Sequence, residues 1–237
     1  MSLGRVFVTG ANRGLGAELV KACLEAGADK IYAGCRQPAE LTPDDIIRPV
    51  YLELEDSDSI EQAVTSSSDT TILINNAGII GYEGVMSATS LNHAKQVMDV
   101  NLWGTLAVCR GFQPVLVANG GCIVNILSIG ALVAYPVAGP YCASKAALFS
   151  ATQSMRAELA SSGVRVVAVF VGPMQTDMVA QHRGDGSSGR SSPVAVARRV
   201  VQGIVAGDTD IYADEVADGL RSLYDHKRAE QQTRSRA

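Results

Sequence analysis

The sequence has no excess of basic residues, no long apolar run and no paired cysteines. Its 237 residues include 20 basic and 24 acidic side chains, a formal net charge of −4. This balance does not favour binding to nucleic acid or to an anionic lipid surface. No apolar run reaches the roughly 20 residues of a membrane-spanning helix. The first residues also lack the layout of a secretory signal. We therefore expect a cytoplasmic protein with neither nucleic acid nor membrane as a partner.

Cysteine is scarce and scattered. The five residues (Cys23, Cys35, Cys109, Cys122 and Cys142) are odd in number, and none forms a C-x-x-C pair. This pattern predicts free thiols in a reducing compartment and no metal site.

Short β-branched runs alternate with longer helical stretches along the chain. The predicted strands are 5–9, 30–34, 49–54, 71–75, 121–127 and 164–171; the predicted helices are 15–26, 58–66, 91–118, 140–161, 193–206 and 215–228. Almost continuous apolar strands that alternate with helices indicate a parallel sheet buried on both faces. We predict an α/β protein: a single-domain, Rossmann-type, doubly wound parallel sheet of about seven strands.

Neither an internal repeat nor a break in composition divides the chain, so one domain over residues 1–237 is expected. A glycine- and serine-rich patch, RGDGSSGRSS at 183–192, favours a flexible substrate loop over about 177–192. The polar tail at about 229–237 is expected to fray.

A glycine-rich turn, TGANRGLG at 9–16, follows the first strand and opens the first helix. Its glycines, Gly10, Gly14 and Gly16, allow a tight turn in which backbone N–H groups approach a pyrophosphate at a helix N-terminus. The spacing is G-x-x-x-G-x-G. With Asn12, Arg13 and Leu15, these glycines form the predicted dinucleotide site.

The end of the second strand lacks an acidic residue. A carboxylate there would bind the ribose 2′-hydroxyl of NAD, whereas this chain has Arg36 after Cys35. Arg36 and Arg13 carry donor groups that match a 2′-phosphate. The sequence thus favours NADP(H) over NAD(H) as the cofactor.

Tyr141 and Lys145 lie at i and i+4 of a predicted helix and share one face. A free phenol has a pKa near 10, and an ammonium about 4 Å away would lower it by about 1–3 units. The pair is therefore predicted to act as a general acid/base. Ser128 ends the fifth strand, and Asn75-Asn76-Ala77-Gly78 ends the fourth, at the same edge of the sheet, where ligands bind in such folds.

In their order, TGANRGLG at 9–16, NNAG at 75–78, Asn101, Ser128 and YCASK at 141–145 resemble the short-chain dehydrogenase/reductase family. The resemblance implies that Tyr141 exchanges a proton with the substrate oxygen, that Lys145 lowers its pKa and holds the nicotinamide ribose, and that Ser128 orients the carbonyl. It implies that Asn101 supports a water. Asn76, Ala77 and Gly78 are implied to pack against the adenosine side.

The resemblance further implies an acidic residue by the adenine, which is Glu53 or Asp56 here, with Leu54 beside it. After the sixth strand it implies that Gly172 and Thr176 contact the cofactor, although Val171 stands where the family usually has proline. It also implies pairing through the helices 91–118 and 140–161 as a homodimer or homotetramer.

The substrate pocket is expected to be mostly apolar. Its candidate lining residues are Ser128, Ile129, Val133, Tyr135, Val137, Met174 and Met178. An apolar lining favours a small neutral ketone or aldehyde, reduced with NADPH to an alcohol. Two alternatives remain open: an NAD-dependent secondary-alcohol dehydrogenase, and a regulatory protein that binds NADP(H) without catalysis.

Overall fold

A computed structural model describes residues 3–88, 90–174, 191–222 and 224 of the chain. Seven strands form one sheet in the order β3-β2-β1-β4-β5-β6-β7, and each neighbouring pair is parallel. The strands are β1 Gly4–Thr9, β2 Ala28–Cys35, β3 Ile47–Tyr51, β4 Ile72–Asn75, β5 Cys122–Ile126, β6 Arg165–Phe170 and β7 Asp210–Tyr212. The predicted fold class is confirmed. Six of these strands are predicted from the sequence, and β7 is a short edge strand outside the predicted set.

Helices cover both faces of the sheet. They are α1 Gly14–Glu25, α2 Ser57–Ser66, α3 Asn92–Met98, α4 Thr105–Ala118, α5 Gly139–Leu159 and α6 Pro193–Ala206. The chain is helical again at 215–222. The stretch 91–118, predicted as one helix, is interrupted: a π-helical turn, Asp99–Gly104, joins α3 to α4.

The core has two layers, one on each face of the sheet. Along β1, Val6 and Val8 pack into the layer under α1 and α6, whereas Phe7 between them packs against Phe112 of α4 on the opposite face. Successive side chains of a strand point to opposite faces, and here both faces are covered. This explains why the strands are apolar at nearly every position.

The order in which strands are added to the sheet reverses after β3, although all the strands remain parallel. The chain runs outward through β2 and β3, then returns to place β4 on the other side of β1. In such sheets a crevice opens at the carboxyl ends of the strands at this switch point. The ends of β1 and β4 are fastened here, since the hydroxyl of Thr9 accepts hydrogen bonds from the backbone N–H of Asn76 at 3.0 Å and of Ala77 at 2.9 Å.

All five cysteines are buried and free of disulfides. Within the described part of the chain, no helix combines the length and the apolar character needed to cross a bilayer. Nor do those residues bring together three or more histidine, cysteine or acidic side chains in a way that could hold a metal ion.

Candidate active site

The glycine-rich turn between β1 and α1 requires its three glycines for two different reasons. Gly10 and Gly14 have φ angles of +67° and +55°, the left-handed region that side chains disfavour. A Cβ on Gly16 would lie 1.9 Å from the carbonyl oxygen of Gly10. The first two glycines therefore shape the turn, and the third lets α1 pack directly on it.

The side chain of Asn76 braces this turn. Its Nδ2 donates to the carbonyl oxygens of Thr9, at 3.0 Å, and of Gly10, at 3.3 Å. A Cβ on Gly10 would also lie 3.0 Å from Cα of Ala77. The segment that follows β4 thus holds the glycine turn in position.

A single cavity of about 360 Å³ runs from the glycine turn to the start of α5. Fourteen of the residues predicted to bind the cofactor line it: Gly10, Asn12, Arg13, Gly14, Leu15, Gly16, Arg36, Glu53, Leu54, Asn76, Ala77, Gly78, Tyr141 and Lys145. The narrow glycine cradle at one end and the polar pair at the other fit a dinucleotide. In that arrangement the glycine turn would hold the pyrophosphate, and Tyr141 and Lys145 would lie beside the nicotinamide.

Charged side chains surround the adenosine end of the cleft. Nε of Arg36 lies 3.7 Å from a carboxylate oxygen of Glu53, and both line the cleft. Arg13 is exposed at its rim. Of the two acidic residues considered for the adenine, Asp56 has a different role: it caps α2, accepting from the backbone N–H of Asp58 and Ser59.

The catalytic candidates come from three parts of the fold. Ser128 follows β5, and its hydroxyl accepts a hydrogen bond from the backbone N–H of Gly130 at 3.0 Å. A Cβ on Gly130 would lie 3.4 Å from that hydroxyl oxygen and 3.7 Å from the ring of Tyr141. Ser128 and Tyr141 thus lie on the same side of this turn, and their side chains share a hydrogen bond.

Burial sets the pKa of Tyr141, and the direction is opposite to the predicted one. Burial raises the pKa of Tyr141 to about 12; the hydrogen bond with Ser128 opposes this rise, and Cys142 and Tyr82 add to it. The predicted lowering by Lys145 is wrong for this structure because loss of hydration is the dominant effect on the phenol. Tyr141 therefore carries its proton at neutral pH.

Lys145 is 5 % exposed. Its Nζ donates to the carbonyl oxygen of Ile126 at 2.9 Å and lies 5.9 Å from the centroid of the Tyr141 ring. Burial lowers the pKa of Lys145 to about 8. The described residues place no carboxylate within ion-pair distance of Nζ, so this ammonium is held by a backbone carbonyl next to the cleft.

Asn101 lies in the π-helical turn and is fully buried. It exchanges two hydrogen bonds of 2.8 Å with the backbone of Ile79, just after the NNAG segment. Its Nδ2 also donates to the hydroxyl of Ser144 at 3.0 Å, and that hydroxyl donates to the carbonyl oxygen of Tyr141 at 2.7 Å. Asn101 thus connects the segment after β4 to the first turn of α5.

The segment after β6 is fastened on two sides. The carbonyl of Val171 accepts from the N–H of Ile129 at 2.9 Å, and the N–H of Gly172 donates to the buried carboxylate of Asp214 at 2.7 Å. Gly172, predicted to contact the cofactor, therefore faces Asp214, and Val171 and Met174 line the cleft instead. Thr176 lies outside the described residues.

The predicted substrate residues do not form one wall. Ile129 is buried in the core beside Leu127 and Phe170, because the turn after Ser128 directs its side chain inward, so its assignment to the pocket is corrected. Val133, Tyr135 and Val137 are surface residues, exposed by 36 %, 39 % and 49 %, and they lie outside the cleft. Met178 and the loop residues 177–190 lie outside the described part of the chain, as does the tail at 229–237.

The cleft also contains residues that the sequence reading missed. Ile79 and Ile80 follow the NNAG segment, and their position just after a strand could have identified them. Gln96 of α3 and Val100 of the π-helical turn also line the cleft. Their i, i+4 spacing marks one helical face, but nothing in the sequence indicates that this face meets a ligand.

Comparison with known proteins places the chain among relatives of the same fold. A family model described as short chain dehydrogenase matches residues 5–186. A short chain dehydrogenase from Burkholderia cenocepacia, solved in complex with NADP, is 35 % identical and superposes with a TM-score of 0.87, covering 97 % of this chain and 96 % of that one. A 3-alpha-(or 20-beta)-hydroxysteroid dehydrogenase of Mycobacterium tuberculosis is 32 % identical over 236 residues, covering 92 % of this chain and 89 % of the relative.

A short-chain dehydrogenase of Talaromyces islandicus is 34 % identical over 183 residues, which cover 73 % of this chain and 64 % of the relative. The match likewise spans less than two thirds of two further fungal relatives. Together with the family match and the long bacterial alignment, the cleft at the switch point identifies the class. The chain belongs to the short chain dehydrogenase family, whose members are oxidoreductases that use a nicotinamide cofactor.

Proposed function

We propose that this protein is an NADP(H)-dependent oxidoreductase that reduces a small, largely apolar ketone or aldehyde to an alcohol. One observation carries the proposal: a single cavity joins the glycine turn to Tyr141 and Lys145. The relative from Burkholderia cenocepacia, solved with NADP, supports the choice of cofactor, as does Arg36 at the end of β2.

The chemistry assigned to the chain is proton transfer and orientation. Bound NADPH would supply the hydride. Tyr141, protonated at neutral pH, donates its proton to the carbonyl oxygen as the C–O double bond becomes single. Ser128 holds that oxygen by a hydrogen bond. Lys145, with its ammonium next to the ring, stabilises the tyrosinate that remains until a proton returns from solvent.

An NAD-dependent secondary-alcohol dehydrogenase is the second candidate. The carboxylate of Glu53 at the adenosine end could accept a hydrogen bond from a ribose hydroxyl. Two relatives bear dehydrogenase names, the mycobacterial hydroxysteroid dehydrogenase and a 2-(R)-hydroxypropyl-CoM dehydrogenase of Xanthobacter autotrophicus, which is 32 % identical over 188 residues.

The test is a screen of ketones, aldehydes and quinones, with loss of reduced-cofactor absorbance followed for NADPH and NADH in parallel. We expect turnover with NADPH at a higher kcat/KM than with NADH. Faster turnover with NADH, or faster alcohol oxidation with NAD, would favour the second candidate. Tight binding of NADPH with no turnover on any carbonyl would favour a non-catalytic regulator.

We also propose that the chain is a single cytoplasmic domain that assembles as a homodimer or homotetramer through α4 and α5. Trp103, in the π-helical turn just before α4, is 60 % exposed, and Val117 near the end of α4 is 40 % exposed. Apolar side chains of this size on a helix face favour burial against a second copy. Light scattering should show an oligomer that Trp103→Glu dissociates; a monomeric native chain would contradict the assembly.

A further inference from the structure

The rim of the adenosine end contains a carboxylate that the proposed function does not use. Glu40 lies in the short helical turn Pro38–Glu40 that follows β2. Its Oε2 accepts a hydrogen bond from Nδ2 of Asn12, in the glycine turn, at 3.0 Å. Glu40 therefore links the turn after β2 to the glycine turn.

The local backbone fixes the position of this carboxylate. The N–H of Glu40 donates to the carbonyl of Gln37, and the N–H of Leu41 donates to that of Pro38, both at 3.1 Å. Proline at the start of the turn restricts the backbone further. The negative charge of Glu40 also acts on Cys35 at the end of β2. Burial raises the pKa of the Cys35 thiol, and repulsion from the carboxylate of Glu40 adds to that rise.

Acidic side chains outnumber basic ones at this end of the cleft. Arg13 and Arg36 supply two positive charges, whereas Glu53 and Glu55 line the cleft and Glu40 lies beside it, on Asn12. A ribose 2′-hydroxyl can donate a hydrogen bond to a carboxylate. A 2′-phosphate dianion cannot, and it is repelled by one.

We propose that Glu40 is a specificity-determining residue that weakens the preference for a 2′-phosphorylated cofactor. Its carboxylate accepts the hydrogen bond of Asn12 Nδ2, so this donor does not serve a phosphate. The same carboxylate repels the phosphate that Arg36 attracts. This inference rests on the proposed binding of NADP(H). Removing the charge of Glu40 should strengthen binding of the phosphorylated cofactor and leave the unphosphorylated one almost unchanged.

The test compares Glu40→Gln with the native full-length chain in calorimetric titrations. The probes are adenosine 2′,5′-bisphosphate and adenosine 5′-monophosphate, followed by NADPH and NADH. Because the repulsion between a dianion and a nearby exposed carboxylate is modest in water, we expect roughly tenfold tighter binding of the phosphorylated probes at low ionic strength. The other probes should change by less than about twofold, and the tenfold gain should shrink in high salt because exposed charges are screened.

Glu61→Gln is the matched control, since Glu61 is exposed on α2 and away from the cleft. It should leave all four affinities unchanged. Equal changes for phosphorylated and unphosphorylated probes in Glu40→Gln, or no change in either, would overturn the role of Glu40.

Arg36→Ala separates this inference from the proposed cofactor. If Arg36→Ala weakens binding of the bisphosphate but Glu40→Gln has no effect, the cofactor assignment stands and the role of Glu40 is refuted. If the native chain prefers the monophosphate and Glu40→Gln shifts the ratio towards the bisphosphate, the role of Glu40 stands and the cofactor assignment fails.

Discussion

The two ends of the cleft differ in the parts of the chain that form them. At the adenosine end, the glycine turn depends on backbone geometry: Gly10 and Gly14 adopt left-handed conformations, and Gly16 has no space for a methyl group. At the catalytic end, buried polar side chains hold the site in position: Asn101, Lys145 and Ser144 have almost no exposed surface. The first end should therefore fail when an atom is added, and the second when a polar atom is removed.

The largest effect is expected from removing one oxygen at the catalytic end. Tyr141→Phe should reduce kcat for carbonyl reduction by about a thousandfold, because a positioned general acid contributes roughly 10²–10⁴ in rate. Its affinity for NADPH should stay within a few-fold of the native value. Steady-state kinetics and fluorescence titration measure the two quantities. Tyr51→Phe, on edge strand β3, is the control. Native turnover in Tyr141→Phe would refute the assigned acid.

The second prediction concerns the pH dependence of stability. Burial lowers the pKa of Lys145 to about 8 in the folded chain, from an ordinary value of 10.5. Between these values the unfolded chain binds more protons, so this group makes stability rise with pH. Relative to Lys145→Met, the native chain should gain up to about 3 kcal/mol between pH 8 and pH 10.5, and nothing below pH 7.

Chemical denaturation of both proteins across this range measures that difference, and groups that titrate alike in both cancel. Lys21→Met is the control, since the side chain of Lys21 is 66 % exposed on α1; its pH profile should run parallel to the native one. A flat difference between native protein and Lys145→Met would show that the ammonium is well solvated.

The third prediction adds an atom at the adenosine end. In Gly16→Ala the new Cβ would lie 1.9 Å from the carbonyl oxygen of Gly10, so the turn must move. Overpacking of this kind costs about 1–3 kcal/mol, and NADPH affinity should fall by at least about tenfold with it. Gly219→Ala is the matched control: a Cβ there meets nothing within 4 Å, and alanine favours a helix. Unchanged affinity in Gly16→Ala would show that the turn does not hold the pyrophosphate.

The smallest effect is expected at an acidic residue near the cleft that has only a structural role. Asp56→Ala removes the cap of α2 and should destabilise the fold by about 1 kcal/mol. Thermal melting measures this loss. Affinity for NADPH should not change, because Asp56 does not line the cleft. A loss of affinity without a loss of stability would assign Asp56 to the adenine after all.

The comparison also explains what could be predicted from the sequence. Continuous apolar strands and the ends of β1, β4 and β5 located the glycine turn, Asn76 and Ser128, because parallel strands end at one edge. Gly16 is predicted from its place in the glycine-rich turn between the first strand and the first helix. Local pattern was sufficient wherever the backbone itself forms the site.

Properties that depend on distant contacts could not be predicted. The pKa of Tyr141 depends on how completely the fold encloses the phenol, and no local pattern of residues encodes that burial. Ile129 was placed in the pocket because it follows Ser128, but its side chain packs against the core. Asp214, which holds Gly172 from 42 residues away, has no local feature that indicates its role.

The π-helical turn between α3 and α4 has a consequence for engineering. Each residue of an α-helix advances the direction of its side chain by about 100°, so the wider turn sets how α4 is rotated relative to α3. Deleting one residue from Asp99–Gly104 would make the helix regular and would swing Asn101 away from Ile79 and Ser144. These six residues should therefore be kept unchanged when the chain is engineered for stability.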